Sequence, residues 1–178
     1  MPTLFLDRYQ SPLGTILLVT DEDRRLRALD FEDHEPRMRR LLRRHYGRDD
    51  TLPVPAPTVI RDALDAYFDG DYEALSQIQW ETNGSVFQRQ VWNALLDIPA
   101  GRTMSYAALA AYIGRPAAVR AVGLANGANP VGIVVPCHRV IGANGKLTGY
   151  GGGVTRKAWL LEHEGALPQA ATAQAALF

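Results

Sequence analysis

The sequence predicts an α+β protein in two parts. Short apolar, β-branched runs separated by turn residues fill the first thirty positions, and helical patterns follow them. From Ser85 onward the chain reads as mostly helical, with a short Gly-Arg-Pro turn between two helices. The division falls in the break Thr82-Asn83-Gly84-Ser85, giving parts at residues 1–83 and 84–167 and a loose, Ala- and Gln-rich tail at 168–178.

The first part begins with strands at Leu4 to Tyr9, Thr15 to Thr20 and Leu26 to Phe31. They are joined by the turns Ser11-Pro12-Leu13-Gly14 and Asp21-Glu22-Asp23, as in an antiparallel meander. A helix is expected over 35–46, with Met38, Leu41, Leu42 and Tyr46 on one face. Its arginines (Arg37, Arg39, Arg40, Arg43, Arg44) read as a solvated face rather than a phosphate site. Prolines and acids make 47–57 a loop. A second helix runs from Thr58 to Phe68 and stops at Gly70, and Ser76 to Trp80 reads as one more strand.

In the second part Ser85 caps a helix through about Leu96, with Val86/Phe87, Val91 and Ala94/Leu95 inward. Ser105 caps the next, whose Tyr106, Leu109, Ala110 and Ile113 follow helical spacing to Gly114. Pro116 is placed to start a third helix, reaching about Asn126. Such a pair is either a helix-turn-helix or an ordinary helical hairpin. On the second helix Ala117, Arg120, Leu124 and Gly127 share a face that is small except for Leu124, which suits close approach to a groove with Arg120 reaching in. Val119, Val122 and Ala125/Asn126 are expected to pack on the protein.

Composition removes several classes. The chain has 178 residues, 47% of them hydrophobic, zero formal net charge and one cysteine. A single cysteine excludes an internal disulfide and a cysteine-rich zinc site, and it suits a reducing compartment. No signal-peptide pattern opens the chain, and no apolar run approaches membrane-spanning length, so no membrane association and a cytoplasmic location are expected. Zero net charge provides no global field toward nucleic acid. The loop Thr148 to Gly153 is glycine-rich but lacks the Lys-Ser/Thr ending of a phosphate-binding loop, so no nucleotide cofactor is expected.

The chemistry points to Ile133-Val-Val-Pro-Cys137-His138-Arg139-Val140-Ile141. The β-branched run reads as buried strand or extended chain, stiffened by Pro136. An imidazole beside a thiol can take its proton and stabilise the thiolate. Strand neighbours face opposite ways, so Cys137 and His138 need a turn or a bridging water to cooperate. A carboxylate on His138 would complete a nucleophile–base–acid set. Glu164, Asp97 and Glu162 are candidates, and His163 competes for the same place. The residues alone leave different readings open, among them a cysteine hydrolase using Cys137, His138 and a carboxylate, and a helix-turn-helix regulator with a structural cysteine.

Pro136-Cys137-His138-Arg139-Val140 resembles the active-site signature of the O6-alkylguanine-DNA alkyltransferases, also called methylated-DNA–protein-cysteine methyltransferases. The resemblance runs from about Phe87 to Gly165. It takes in Arg120-Ala121-Val122-Gly123, Asn129-Pro130, Gly149-Tyr150 and Trp159-Leu160-Leu161-Glu162-His163-Glu164-Gly165. It implies a ribonuclease-H-like α/β first domain and a winged-helix-like, helix-turn-helix alkyltransferase domain, without cofactor or metal. The implied activity is a one-time transfer of the alkyl group from O6-alkylguanine, and from O4-alkylthymine, in double-stranded DNA.

Carried over by position, the resemblance makes Cys137 the alkyl acceptor, His138 the base acting through a water, and Glu164 its orienting carboxylate. Tyr106 helps rotate the nucleotide out and donates a proton toward guanine N3. Arg120 fills the vacated stack, on a DNA-facing surface that includes Ala117 and Gly123. Tyr150 walls the base pocket and Val140 reads the guanine edge, while Asn129 supports the hinge between the DNA-binding helices and the cysteine segment. Gly151 stands where many relatives carry serine, which leaves only backbone donors for O6 and room for larger alkyl groups. A monomer in solution is expected.

Overall fold

The computed structural model describes residues 2–166. The tail expected at 168–178 lies outside them. The described residues form two compact units, one of residues 2–83 with 130–134, the other of residues 84–129 with 135–166.

The first unit is a four-stranded sheet in the order β3-β2-β1-β4. Strands β1 (Phe5–Ser11), β2 (Gly14–Thr20) and β3 (Leu26–Phe31) form the expected antiparallel meander. Gly14 closes the first hairpin at φ 104°, a conformation that costs glycine little. Ile16, Leu17, Leu18 and Val19 are all fully buried, so both faces of β2 are covered. One face carries Leu4, Leu6, Leu17, Val19 and Ala28, which form a core with Met38, Leu42 and Tyr46 of α1 (Glu35–Tyr46). Gly47 ends α1 at φ 72°, its N–H donating to Arg43 O at 2.8 Å. The α1 arginines are largely spent on local acids: Arg37 on Asp30, Arg39 on Glu35 and Arg43 on Asp49.

Two expectations fail in this unit. The stretch 47–57 is not all loop, because Leu52–Pro53 forms β4, parallel to β1. Ser76 to Trp80 is not a strand. After α2 (Thr58–Phe68) the chain makes a 3₁₀ helix over Tyr72–Gln77, and only Trp80 forms a bridge, to Leu26. β-Propensity in so short a run is overridden by packing. Residues 130–134 complete the unit along β3, where Val131 bridges Leu29 and Leu29 N–H donates to Pro130 O at 3.0 Å.

The second unit holds α3 (Val86–Leu95), α4 (Tyr106–Tyr112), α5 (Val119–Gly127) and α6 (Val154–His163). Its two-stranded parallel ladder pairs β5 (Met104–Ser105) with β6 (Val140–Ile141). Ser85 and Gln88 form a reciprocal capping box on α3, and Ser105 caps α4 by accepting from Ala108 N–H at 3.0 Å. Trp92 is wholly buried, and a Cβ on Gly84 would run into its ring, so that position is confined to glycine.

Here too the structure corrects details. Val86 points out, with 76% of its surface exposed, and Phe87 is only half-buried. The third helix begins at Val119, not Pro116. Arg115 to Ala118 is a turn closed by Ala118 N–H on Arg115 O at 2.9 Å. Proline pre-sets a turn as readily as a first helical position.

Candidate active site

The segment carrying the cysteine is bent three times where a strand was expected. Ile133 takes φ 67°, a value β-branched residues seldom adopt. Val134 N–H closes a three-residue turn around it on Gly132 O at 2.7 Å. Pro136, at φ −82° and ψ 63°, is the centre of a second such turn, closed by Cys137 N–H on Val135 O at 2.8 Å. Cys137–Arg139 then form one 3₁₀ turn, which frees Cys137 and His138 from the opposite-face alternation of a strand.

On that turn the side chains enter a buried polar cluster. Cys137 is buried and takes part in no disulfide. His138 is fully buried, its Nε2 2.9 Å from Glu164 Oε2. Its Nδ1 is also buried and has no hydrogen-bond partner among the described residues. Arg139 grips both oxygens of Glu164, through Nε to Oε1 at 2.8 Å and Nη2 to Oε2 at 3.0 Å, while Nη1 donates to Ile98 O at 2.6 Å. Burial opposes the charge on Glu164, but His138 and the Arg139 guanidinium outweigh it and hold the carboxyl well below its usual range. Burial pushes His138 below its usual value against the pull of Glu164. An ionised Glu164 can only accept, so a neutral His138 donates from Nε2 and keeps its lone pair on Nδ1.

A second cation lies in the same region. Lys157 of α6 is fully buried, and its Nζ donates to Thr148 O at 2.7 Å. Burial lowers its pKa to about 8, opposed by the charge of Cys137. The same Thr148 carbonyl accepts from Tyr106 Oη at 3.0 Å, and Lys157 Nζ stands 5.9 Å from the Tyr106 ring centre. Burial, with the Cys137 charge adding to it, raises the Tyr106 pKa and favours the protonated phenol.

Helix α5 is tied to the cysteine turn by two asparagines. Asn126 Nδ2 donates to Cys137 O at 3.3 Å, and Asn129 Nδ2 donates to Val135 O at 2.8 Å. An open cavity of about 540 Å³ lies beside α5, lined in part by Tyr106, Arg120, Gly123, Gly149, Tyr150 and Gly151. Gly149, at φ 60°, brings its backbone close to the Tyr106 hydroxyl.

Residues 86–166 match the family described as 6-O-methylguanine DNA methyltransferase, DNA binding domain, and residues 5–82 match the ribonuclease-like domain of the same family. The chain belongs to the 6-O-methylguanine DNA methyltransferase family. A methylated-DNA–protein-cysteine methyltransferase of Salmonella typhimurium is 51% identical over 169 residues, covering 94% of this chain and 99% of that protein. One of Mycobacterium tuberculosis is 52% identical over 128 residues, 70% of this chain and 77% of that protein. A crystal structure of a Mycobacterium tuberculosis relative in complex with DNA superposes with a TM-score of 0.77 at 41% identity, covering 94% of this chain and 98% of that one. The fold is thus the family's ribonuclease-like domain followed by a helical DNA-binding domain.

In this methyltransferase-family chain the anticipated site residues fall into two groups. His138 and Glu164 pair in the buried cluster, on the turn that carries the buried Cys137, while Tyr106, Arg120, Gly123, Tyr150 and Gly151 line the cavity. Tyr150 stands edge-on to His138, ring centres 6.5 Å apart. Val140 is buried in β6, directly after the cysteine turn. Ala117 lies in the turn before α5, not on the helix. Val119, expected to pack inward, is 36% exposed and borders the cavity. Of the competitors for the carboxylate place, Asp97 accepts from the Tyr112 hydroxyl at 2.6 Å and His163 stacks on Trp159. Asn126 is buried as expected, but sequence reasoning missed its bond to Cys137 O, the buried Lys157 and the grip of Arg139 on Glu164. Only the cationic residue in the signature itself was a signal for the last. Among the described residues no group of three or more His, Cys, Asp or Glu could hold a metal ion, and no helix is long and apolar enough to cross a membrane.

Proposed function

We propose that this protein repairs double-stranded DNA by direct reversal, moving the alkyl group of O6-alkylguanine, and of O4-alkylthymine, irreversibly onto Cys137 Sγ. The observation that carries the reading is the cysteine turn itself. Cys137 is followed by a histidine bonded to an ion-paired Glu164, in the unit whose helix α5 presents Arg120 to an open cavity.

The thiol proton passes through a water to His138 Nδ1, and the imidazolium is stabilised by ionised Glu164. The Lys157 ammonium adds favourable charge for the thiolate. Sulfur attacks the alkyl carbon in line. The S–C bond forms as the C–O6 bond breaks, and the bonding pair goes to the purine. Tyr106 protonates guanine at N3, so a neutral base leaves. Tyr106 regains a proton from solvent and His138 returns its own, so the thiol hydrogen is replaced by the alkyl group. The product is a thioether, which water does not cleave readily, and each chain acts once.

The target atom lies inside a duplex, so the nucleotide must be extruded, and a poorly paired lesion costs less to extrude. Helix α5 suits the minor groove. Gly123 and Gly127 allow close approach, Leu124 is 72% exposed, and Arg120 fills the vacated stack. Tyr150 walls the pocket, Val140 with nearby backbone reads the guanine edge, and Asn129 serves as the hinge support.

The test is titration with a duplex carrying radiolabelled O6-methylguanine. Lesion loss should stop at one per chain and vanish in Cys137→Ala. Continuous release of label would instead indicate a cysteine hydrolase. Sequence-specific DNA binding without transfer, unchanged in Cys137→Ala, would indicate a regulator.

A further inference from the structure

We propose that Arg139 is a positioning residue that locks Glu164 in place and thereby determines which nitrogen of His138 receives the proton of Cys137. The inference rests on the repair reading above and assigns Arg139 a part in the same reaction. Glu164 Oε2 is shared: it takes the His138 Nε2 bond at 2.9 Å and the Arg139 Nη2 bond at 3.0 Å. The other oxygen takes Arg139 Nε at 2.8 Å, so the carboxylate is held in a two-pronged grip and cannot rotate away from the imidazole. The guanidinium is itself fixed, since Nη1 donates to Ile98 O at 2.6 Å.

The charges around His138 show what the grip accomplishes. The groups facing it are Arg139 on its own turn, Lys157 and Glu164 at α6, and the edge-on Tyr150 ring. Glu164 favours the imidazolium, whereas Arg139 and Lys157 oppose it along with burial. With His138 neutral at rest, the full charge facing Glu164 is that of Arg139, which keeps the carboxylate ionised without the imidazolium. The ring is then confined to the tautomer with hydrogen on Nε2, and the orphaned Nδ1 is the open base. Without Arg139, Glu164 would bear on His138 alone. The resting imidazole would be more easily protonated and the base occupied in advance.

Arg139→Gln removes the charge and the fork, whereas Arg139→Lys keeps the charge but can hold only one oxygen. Nitrogen NMR of His138 follows its tautomer and titration, and proton NMR follows the hydrogen on Nε2 that is shielded by its bond to Glu164. The rate of alkyl transfer to free O6-benzylguanine is measured across pH on the same samples. In Arg139→Gln the His138 titration and the acid limb of the rate profile should both move to higher pH, by about one unit. In both variants the shielded Nε2–H resonance should be lost to exchange. Arg139→Lys is the variant expected to keep the fold. If its resonance persists with an unchanged rate profile, the proposal is overturned, because a merely structural arginine would move neither. Failure of the unsubstituted protein to transfer an alkyl group would overturn the repair reading instead, and the NMR readouts do not depend on it.

Discussion

Asn126 of α5 donates its side-chain amide to the main-chain carbonyl of Cys137 at 3.3 Å, so the arginine-bearing helix is bonded directly to the peptide of the cysteine. The Asn126 side chain is buried, and its Oδ1 has no partner among the described residues. Cys137 O also accepts from the Val140 N–H, so loss of the amide does not orphan it. Asn126→Ala should therefore cost only about 1 kcal/mol of stability. It should slow alkyl transfer severalfold while leaving affinity for undamaged duplex unchanged. Urea unfolding, single-turnover rates and a binding titration check the three parts.

Asn129 makes a bond of the same kind. Its amide bond to Val135 O at 2.8 Å spans the excursion of residues 130–134. Val135 O also accepts from the Cys137 N–H at 2.8 Å, so Asn129→Ala does not orphan it and should cost about 1 kcal/mol, read as a small fall in melting temperature.

Lys157 sets stability against reactivity. Its folded pKa of about 8 lies below the ordinary 10.5, so the unfolded chain holds more protons between those values. Stability therefore rises with pH across that window, and below pH 8 the buried ammonium is a liability. Lys157→Met should stabilise the protein by about 2 kcal/mol at neutral pH, and the gain should shrink as pH is raised toward 10.5. The same substitution should move the Cys137 thiolate titration up by about one unit and slow transfer. Denaturation at several pH values and thiolate absorbance test the two halves.

Acid should weaken the fold through His138 first and Glu164 later. Both bind protons less tightly folded than unfolded, so both contribute stability that is lost as pH falls. The loss begins below about pH 6.5 for His138 and below about pH 4.3 for Glu164. Glu164→Gln should be less stable at neutral pH and show a flatter acid decline, measured by urea midpoints across that range.

Arg120→Ala should weaken repair of O6-methylguanine in a duplex at least tenfold while sparing reaction with free O6-benzylguanine, because a free base needs no stack to be filled. Equal losses on both substrates would remove the base-replacement role.

Local chemistry was legible in the chain. Ser85 and Ser105 announced their helices because a cap needs only a side-chain oxygen and the next turn of backbone, and the meander followed from apolar runs broken by turn residues. Where two local outcomes compete, the chain was ambiguous: Pro116 suits a turn as well as a helix start, and Ser76-Gln77 the end of a 3₁₀ helix as well as the start of a strand. Lys157 could not be read at all. A lysine after Thr155-Arg156 looks like a solvated helix face, and only tertiary packing buries it. The bends at Ile133 and Pro136 were equally hidden, since β-branched residues argue for extended chain and the positive φ is imposed by context.

Peptide mapping by mass spectrometry, after incubation with excess duplex containing O6-methylguanine, tests the central claim most directly. The account predicts one methyl group per chain, on the Cys137 peptide, with no increase on longer incubation. Methyl on another residue, an unmodified Cys137 beside repaired DNA, or repaired lesions outnumbering protein chains would contradict it.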